Sequence, residues 1–154
     1  MIEYSDIIAL SLQLLIFNQG FFKVPKAKNE VVKSYAKDSF ERNEVKKVYN
    51  EMFTSNVEIP MYINGEDIRS NEKVKINPPH DHKKIVGEYF LASPKNIDYA
   101  IESALEAKES WSSMSWENRS AVFLKAAELI AGPYRYKINA ATMIGQSKTV
   151  HQAE

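Results

Sequence analysis

The residues with chemistry to offer are few. His80-Asp81-His82 puts two imidazoles and a carboxylate side by side. The trio follows Pro78-Pro79 and so falls in a turn, where side chains at i and i+2 can grip one metal ion. A zinc site needs three or four ligands, and no partner cluster stands elsewhere in the chain. The reading set against the metal is a polar turn whose Asp81 bonds nearby backbone. His151 and Glu154 have the spacing of a base and its orienter on a helix, but that spacing equally suits a surface pair. Glu102, Glu106 and Glu109, with Lys108 beside them, lie on the polar side of a helical pattern and read as a solvated face. The glycines, at positions 20, 65, 87, 132 and 145, form neither G-x-G-x-x-G nor a P-loop, so the backbone cradle for phosphates that those motifs build is missing. Gly145–Lys148 (GQSK) offers one Gly and one Lys, a weak anion signal. Trp111, Trp116, Tyr134 and Tyr136 resemble a base-stacking platform in spacing. In a chain of zero net charge, packing in a core or interface is the better reading.

Composition narrows the classes further. There are 20 basic and 20 acidic residues, so the strong positive field of a nucleic-acid binder is absent. Zero net charge also gives little self-repulsion, so exposed apolar surface would favour association. No cysteine is present, which excludes disulfides, thiolate metal sites and a cysteine nucleophile from these residues. Ile7–Phe17 (IIALSLQLLIF) is apolar nearly all round but too short to cross a bilayer, which takes about 20 residues. It has no cationic n-region for a signal peptide, and it is not the Arg-rich, acid-poor stretch of a transit peptide. It reads as residues outside the fold, as a buried or partner-facing helix, or as a targeting segment.

The elements that must position these groups follow from pattern. Residues 21–37 are extended or irregular around Pro25, with a local excess of Lys that reads as a solvated segment. Residues 39–52 are predicted helical: Asp38 can cap, with Glu41 three residues on, and Val45, Val48, Tyr49 and Met52 form one stripe. Asn64-Gly65 between apolar runs predicts a type I′ β-hairpin. Val74 and Ile76 alternate in a strand ended by Pro78-Pro79, and residues 83–92 (KKIVGEYFLA) predict another. From residue 93 the period turns helical. Ser93 caps and Pro94 sits at N1; Ile97, Ala100, Ile101, Ala104 and Leu105 line one face down to Trp111. A second helix starts near Ser115 with the wide apolar face Val122, Phe123, Ala126, Ala127, Leu129 and Ile130. Gly132-Pro133 ends it, with a left-handed cap expected at Gly132. A third runs from Tyr134, with Tyr134, Ile138, Ala141, Met143 and Ile144 as its apolar positions and Gly145 interrupting. Short strands followed by helices imply α/β or α+β packing. The broad apolar helix faces call for more sheet than the sequence supplies.

The helical block carries a resemblance. WENRSAVFLKAAELIAGPYRYKINAATMIGQSKTVHQAE resembles the N-terminal part of NAD-dependent aldehyde dehydrogenases. MYINGEDI resembles their opening hairpin, and residues 77–111 their strand pair and first helix, with Pro78, Gly87, Ala100 and Trp111 in place. Arg119, Leu124 and Ala127 match the next helix. FLKAA, AGPYRY, NAATMIGQSKTV and QAE are similar to the delta-1-pyrroline-5-carboxylate dehydrogenase branch, whose extra N-terminal segment VVKSYAKDSFERNEVKKVYNEM fits. The likeness runs from about Phe21 to Glu154.

The resemblance implies an incomplete α/β fold, the start of an NAD-binding domain. Its parts are an unmatched apolar extension (1–20), a subfamily segment with one helix (21–58) and the opening of the NAD-binding domain (59–154). It implies oxidation of L-glutamate γ-semialdehyde to L-glutamate with NAD, in proline degradation, by a homo-oligomer without nucleic-acid or membrane partners. The compartment would be the cytoplasm in a bacterium or the mitochondrial matrix in a eukaryote. The family's catalytic Cys, general-base Glu, NAD-site strands and oligomerisation strands are expected beyond Glu154. No catalytic, cofactor-binding or metal residue therefore carries over to this chain, which is expected to be inactive alone, unstable without the sheet its helices cover, and prone to association. The competing expectation is a non-catalytic module that binds a partner through bare apolar helices.

Overall fold

The computed structural model describes residues 23–154; the apolar run Ile7–Phe17 lies outside the described residues. An extended strap leads into helix α1 (Phe40–Thr54) through two left-handed residues, Tyr35 (φ 48°) and Asp38 (φ 64°). Asp38 is not the cap that the sequence suggests. A cap needs extended backbone, and Asp38 is spent on the turn. Ser39 has the extended geometry (φ −69°, ψ 154°), and its Oγ accepts from the Arg42 amide at 3.3 Å.

Five short strands follow: β1 (Val57–Ile59), β2 (Met61–Ile63), β3 (Glu66–Ile68), β4 (Lys73–Ile76) and β5 (Gly87–Phe90). β2 and β3 form the expected hairpin, with Met61 opposite Ile68 and Ile63 opposite Glu66. Its central residues Asn64 (φ 51°) and Gly65 (φ 82°) are both left-handed, as a type I′ turn requires. The other three strands make a sheet in the order β1-β5-β4, with β1 parallel and β4 antiparallel to β5. β5 is shorter than the pattern predicts. The Asn77 amide donates to the carbonyls of His82 (3.1 Å) and Lys84 (2.7 Å), which holds residues 82–84 in a turn rather than a ladder. Gly87 stands opposite Val57, and a Cβ there would meet the Val57 carbonyl oxygen at 2.4 Å. The parallel pairing of β1 depends on that bare α-carbon.

The helical half opens with α2 (Pro94–Ser113), whose N-terminus carries a reciprocal capping box between Ser93 and Asn96. Ser115 caps α3 (Trp116–Ala131). Arg119 reaches back from α3 and donates to the carbonyls of Ser112 and Met114, closing the end of α2. Gly132 ends α3, but its φ of −106° is not left-handed. The turn closes instead through the Arg135 amide on the Gly132 carbonyl, which leads directly into α4 (Arg135–Gln146). Gly145 stays inside α4; the left-handed residue is Ser147 (φ 52°), after which come Thr149 and the single turn α5 (Val150–Ala153).

Burial is uneven. Tyr35, Val45, Ala140 and Ile144 are buried where α1 meets α4, and Pro78, Val86 and Phe90 are buried by the sheet. No residue of α2 or α3 is buried. Their predicted apolar faces are exposed: Leu105 to 62% and Phe123 to 67%. The sheet that would cover them is not among the described residues.

Candidate functional site

The most ordered polar cluster lies where the strap crosses α4 and α5. The sequence reading puts Tyr134, Ile138 and Ala141 on the inner face of α4, yet the buried residues are Arg135, Asn139, Ala140 and Ile144. These recur at i, i+4, i+5 and i+9, one helix face. Half of that face is polar, which is why an apolar count misses it.

Arg135 is the hub. Its Nε donates to Glu154 Oε2 at 3.2 Å and its Nη2 to Glu154 Oε1. Nη2 also serves the Val31 carbonyl at 2.6 Å, and Nη1 the Glu30 carboxylate at 2.8 Å. Glu154 is almost wholly enclosed, with a side-chain exposure of 2%. It further accepts from the Tyr35 hydroxyl (2.6 Å), the Asn139 amide (2.7 Å) and the Lys33 backbone amide (3.0 Å). Lys33 Nζ caps the group on Tyr136 Oη at 2.8 Å. Every buried side-chain donor and acceptor among the described residues has a partner, as buried polar groups must.

Proton affinities follow from this geometry. Burial works to raise the Glu154 carboxyl, but the bonds from Arg135, Tyr35, the Lys33 amide and Asn139 overcome it and hold the group at about 2. Burial, then the hydrogen bond to Glu154, push the Tyr35 phenol up to about 12. The hydrogen bond to Glu154 also raises the Arg135 guanidinium, so the pair stays charged at all ordinary pH. A fully bonded, always-ionised pair holds structure well. It has no proton free for general acid–base work.

The sequence candidates fall elsewhere. His80 bridges rather than ligates: its Nδ1 lies 2.8 Å from Ser147 Oγ, its Nε2 lies 3.4 Å from Tyr49 Oη, and its ring stacks on Phe53. Asp81 bonds backbone nearby, accepting from the Lys83 amide at 3.2 Å, as the polar-turn reading has it. Among the described residues, no group of three or more His, Asp or Glu is placed to hold a metal ion. His151 does not act with Glu154: its ring meets Tyr35 edge-on at 6.2 Å, while Glu154 faces Arg135. Trp111 meets Phe123 edge-on across α2 and α3, and Tyr136 meets Phe40. These pairs are packing contacts rather than a row of parallel rings.

None of the described glycines builds a phosphate cradle. Gly65 serves the hairpin, Gly87 the β1–β5 approach, and Gly132 and Gly145 the end of α3 and the last turn of α4. The residues present therefore do not fit a dinucleotide. Two open clefts remain. One lies between the β3–β4 loop and the start of α2, around Arg69 and Ser93. The other, of about 670 Å³, lies between α3, α4 and the strap and reaches Arg135. Among the described residues, no helix is long and apolar enough to cross a membrane.

Comparison with known proteins adds what the geometry lacks. A model of the aldehyde dehydrogenase family matches residues 66–154. The chain is 45% identical over 134 residues to a probable delta-1-pyrroline-5-carboxylate dehydrogenase of Schizosaccharomyces pombe, covering 86% of this chain and 24% of that protein. It is 36% identical over 131 residues to the Dictyostelium discoideum delta-1-pyrroline-5-carboxylate dehydrogenase, named mitochondrial, covering 85% of this chain and 24% of that protein. The crystal structure of the Mycobacterium tuberculosis delta-pyrroline-5-carboxylate dehydrogenase bound with NAD superposes with a TM-score of 0.84 at 38% identity, over 88% of this chain and 25% of that one. The chain thus spans about a quarter of the length of the relatives it matches.

Proposed function

We propose a function from one premise: this chain belongs to the aldehyde dehydrogenase family. It supplies the N-terminal part of an NAD-dependent dehydrogenase that oxidises L-glutamate γ-semialdehyde, the open form of delta-1-pyrroline-5-carboxylate, to L-glutamate. The observation that carries this reading is the 45% identity to the S. pombe relative over 86% of the chain. The reaction, part of proline degradation, consumes the aldehyde, water and NAD and yields the acid, NADH and a proton. A Cys thiolate, absent from this chain, would attack the aldehyde carbon. NAD, when bound, accepts the hydride.

The described residues supply scaffold to that reaction. The β2–β3 hairpin and the β1-β5-β4 sheet form its edge. Helices α2 and α3 form an outer layer whose apolar faces meet a sheet beyond these residues. The Arg135–Glu154 cluster fixes the chain as it leaves α5. No catalytic, NAD-binding or metal residue is assigned here, and the chain alone is inactive. The whole enzyme is a homo-oligomer, located in the mitochondrial matrix if eukaryotic and in the cytoplasm if bacterial. The boundaries stand at 1–20, 21–58 and 59–154.

The bare faces of α2 and α3 favour a second reading, a non-catalytic module that takes a partner on those faces. Sequencing independent transcripts past Glu154 separates the two. The dehydrogenase reading expects an open frame that later encodes a Cys, and a longer protein that forms NADH from the semialdehyde until that Cys is replaced. A stop codon directly after Glu154 in every transcript would support the module.

A further inference from the structure

The strap makes one contact that differs from the rest of the Arg135 cluster. Glu154 is enclosed, and the strap's backbone is anchored by the Val31 carbonyl and the Lys33 amide. Glu30 is not needed for either anchor. Its side chain is 60% exposed, yet its Oε1 lies 2.8 Å from Nη1 of a guanidinium that is only 9% exposed. Arg135 borders the 670 Å³ cleft, whose walls include Ala127, Ile130, Ala131 and Ile138. Lys28 stands at the same mouth. Glu128, also there, is paired with Lys125 at 3.0 Å.

We propose that Nη1 of Arg135, at the mouth of this cleft, is a binding site for a small carboxylate with a short aliphatic tail, and that Glu30 occupies it as a built-in plug. A carboxylate held by a buried guanidinium gains a charge-assisted bond stronger than an exposed pair makes. Exchanging Glu30 for a ligand removes one negative charge and brings one back, so the local balance is kept. The strap need not leave, because its backbone bonds to Arg135 and Glu154 do not involve Glu30. An aliphatic tail would lie on the Ile130, Ala131 and Ile138 walls, where covering apolar surface is favourable. The plug competes with any ligand, so apparent affinity falls by the fraction of time the site is free.

The site uses neither NAD nor the semialdehyde, so it stands or falls apart from the dehydrogenase reading. The test is an NMR titration of the isotope-labelled chain with sodium propionate against sodium chloride at equal ionic strength, with propionamide as the neutral control. Saturable shifts at Arg135, Ala131 and Ile138 are expected with propionate only. Glu30→Ala, and Glu30→Gln as a variant that keeps the side chain's shape, are expected to tighten the apparent affinity about tenfold if the plug fills the site nine-tenths of the time. The proposal is overturned if no saturable shift appears in the chain or in either variant, including for want of dispersed signals from the corner. It is overturned equally if propionamide or chloride gives the same shifts, or if neither variant tightens binding.

Discussion

At the scale of single residues, the fold turns on charges placed where an apolar pattern would put methyl groups. Removing one partner of a buried pair leaves the other unpaired and costs about 3–5 kcal/mol. Arg135→Met should therefore destabilise the α1–α4 corner by that order, read as a fall in the urea midpoint of the signal from Tyr35. Glu30→Ala should leave the midpoint almost unchanged, because its side chain is exposed. The pH profile follows from the same residues. Glu154 is held at about 2 against an ordinary 4.5, so its contribution is present above about 4.5 and is lost as pH falls towards 2. Tyr35 is raised from 10.0 to about 12, so its contribution is complete below 10 and is lost as pH rises through 12. Corner stability should form a plateau between those limits. A steep change near neutrality would contradict this assignment. None of this was readable from the sequence, which offers His151 as the partner of Glu154; the actual partner, Arg135, lies a turn and a helix away.

At the scale of elements, the parts fixed by local chemistry were the legible ones. Asn64-Gly65 dictates a type I′ turn, and Ser93-Pro94 and Ser115 dictate helix starts; all three appear in the structure. The misses are one-residue competitions. Asp38 yields the cap to Ser39 because the turn takes its backbone, and the left-handed step expected at Gly132 falls at Ser147. Gly87 shows how little room a short strand leaves. Gly87→Ala drives a methyl into the Val57 carbonyl and should cost about 1–3 kcal/mol, as overpacking does, with the loss of slow amide exchange at Val57 as the readout. Hydrogen exchange should also separate the helices. Amides of α1 and α4 around Val45, Ala140 and Ile144 should exchange slowly, and those of α2 and α3 fast, because nothing is buried there. Equal protection along α2, α3 and α4 would show that the apolar faces are covered.

At the scale of the whole molecule, the broad faces of Ile97–Leu105 and Val122–Ile130 explain both what the sequence could say and where it stopped. Their width indicates helices that pack on a sheet, and the structure leaves them open, with Leu105 and Phe123 about two-thirds exposed. The family and the class of fold were legible because long strings such as NAATMIGQSKTV carry them. A site was not, because its chemistry needs a thiolate that these residues do not contain. The account's central claim is that this chain is outer scaffold of a dehydrogenase, without its catalytic machinery. The direct measurement is NADH formation by the purified 154-residue chain given NAD and glutamate γ-semialdehyde. The account predicts a rate no higher than the protein-free background; turnover above it, proportional to the amount of chain, would contradict it.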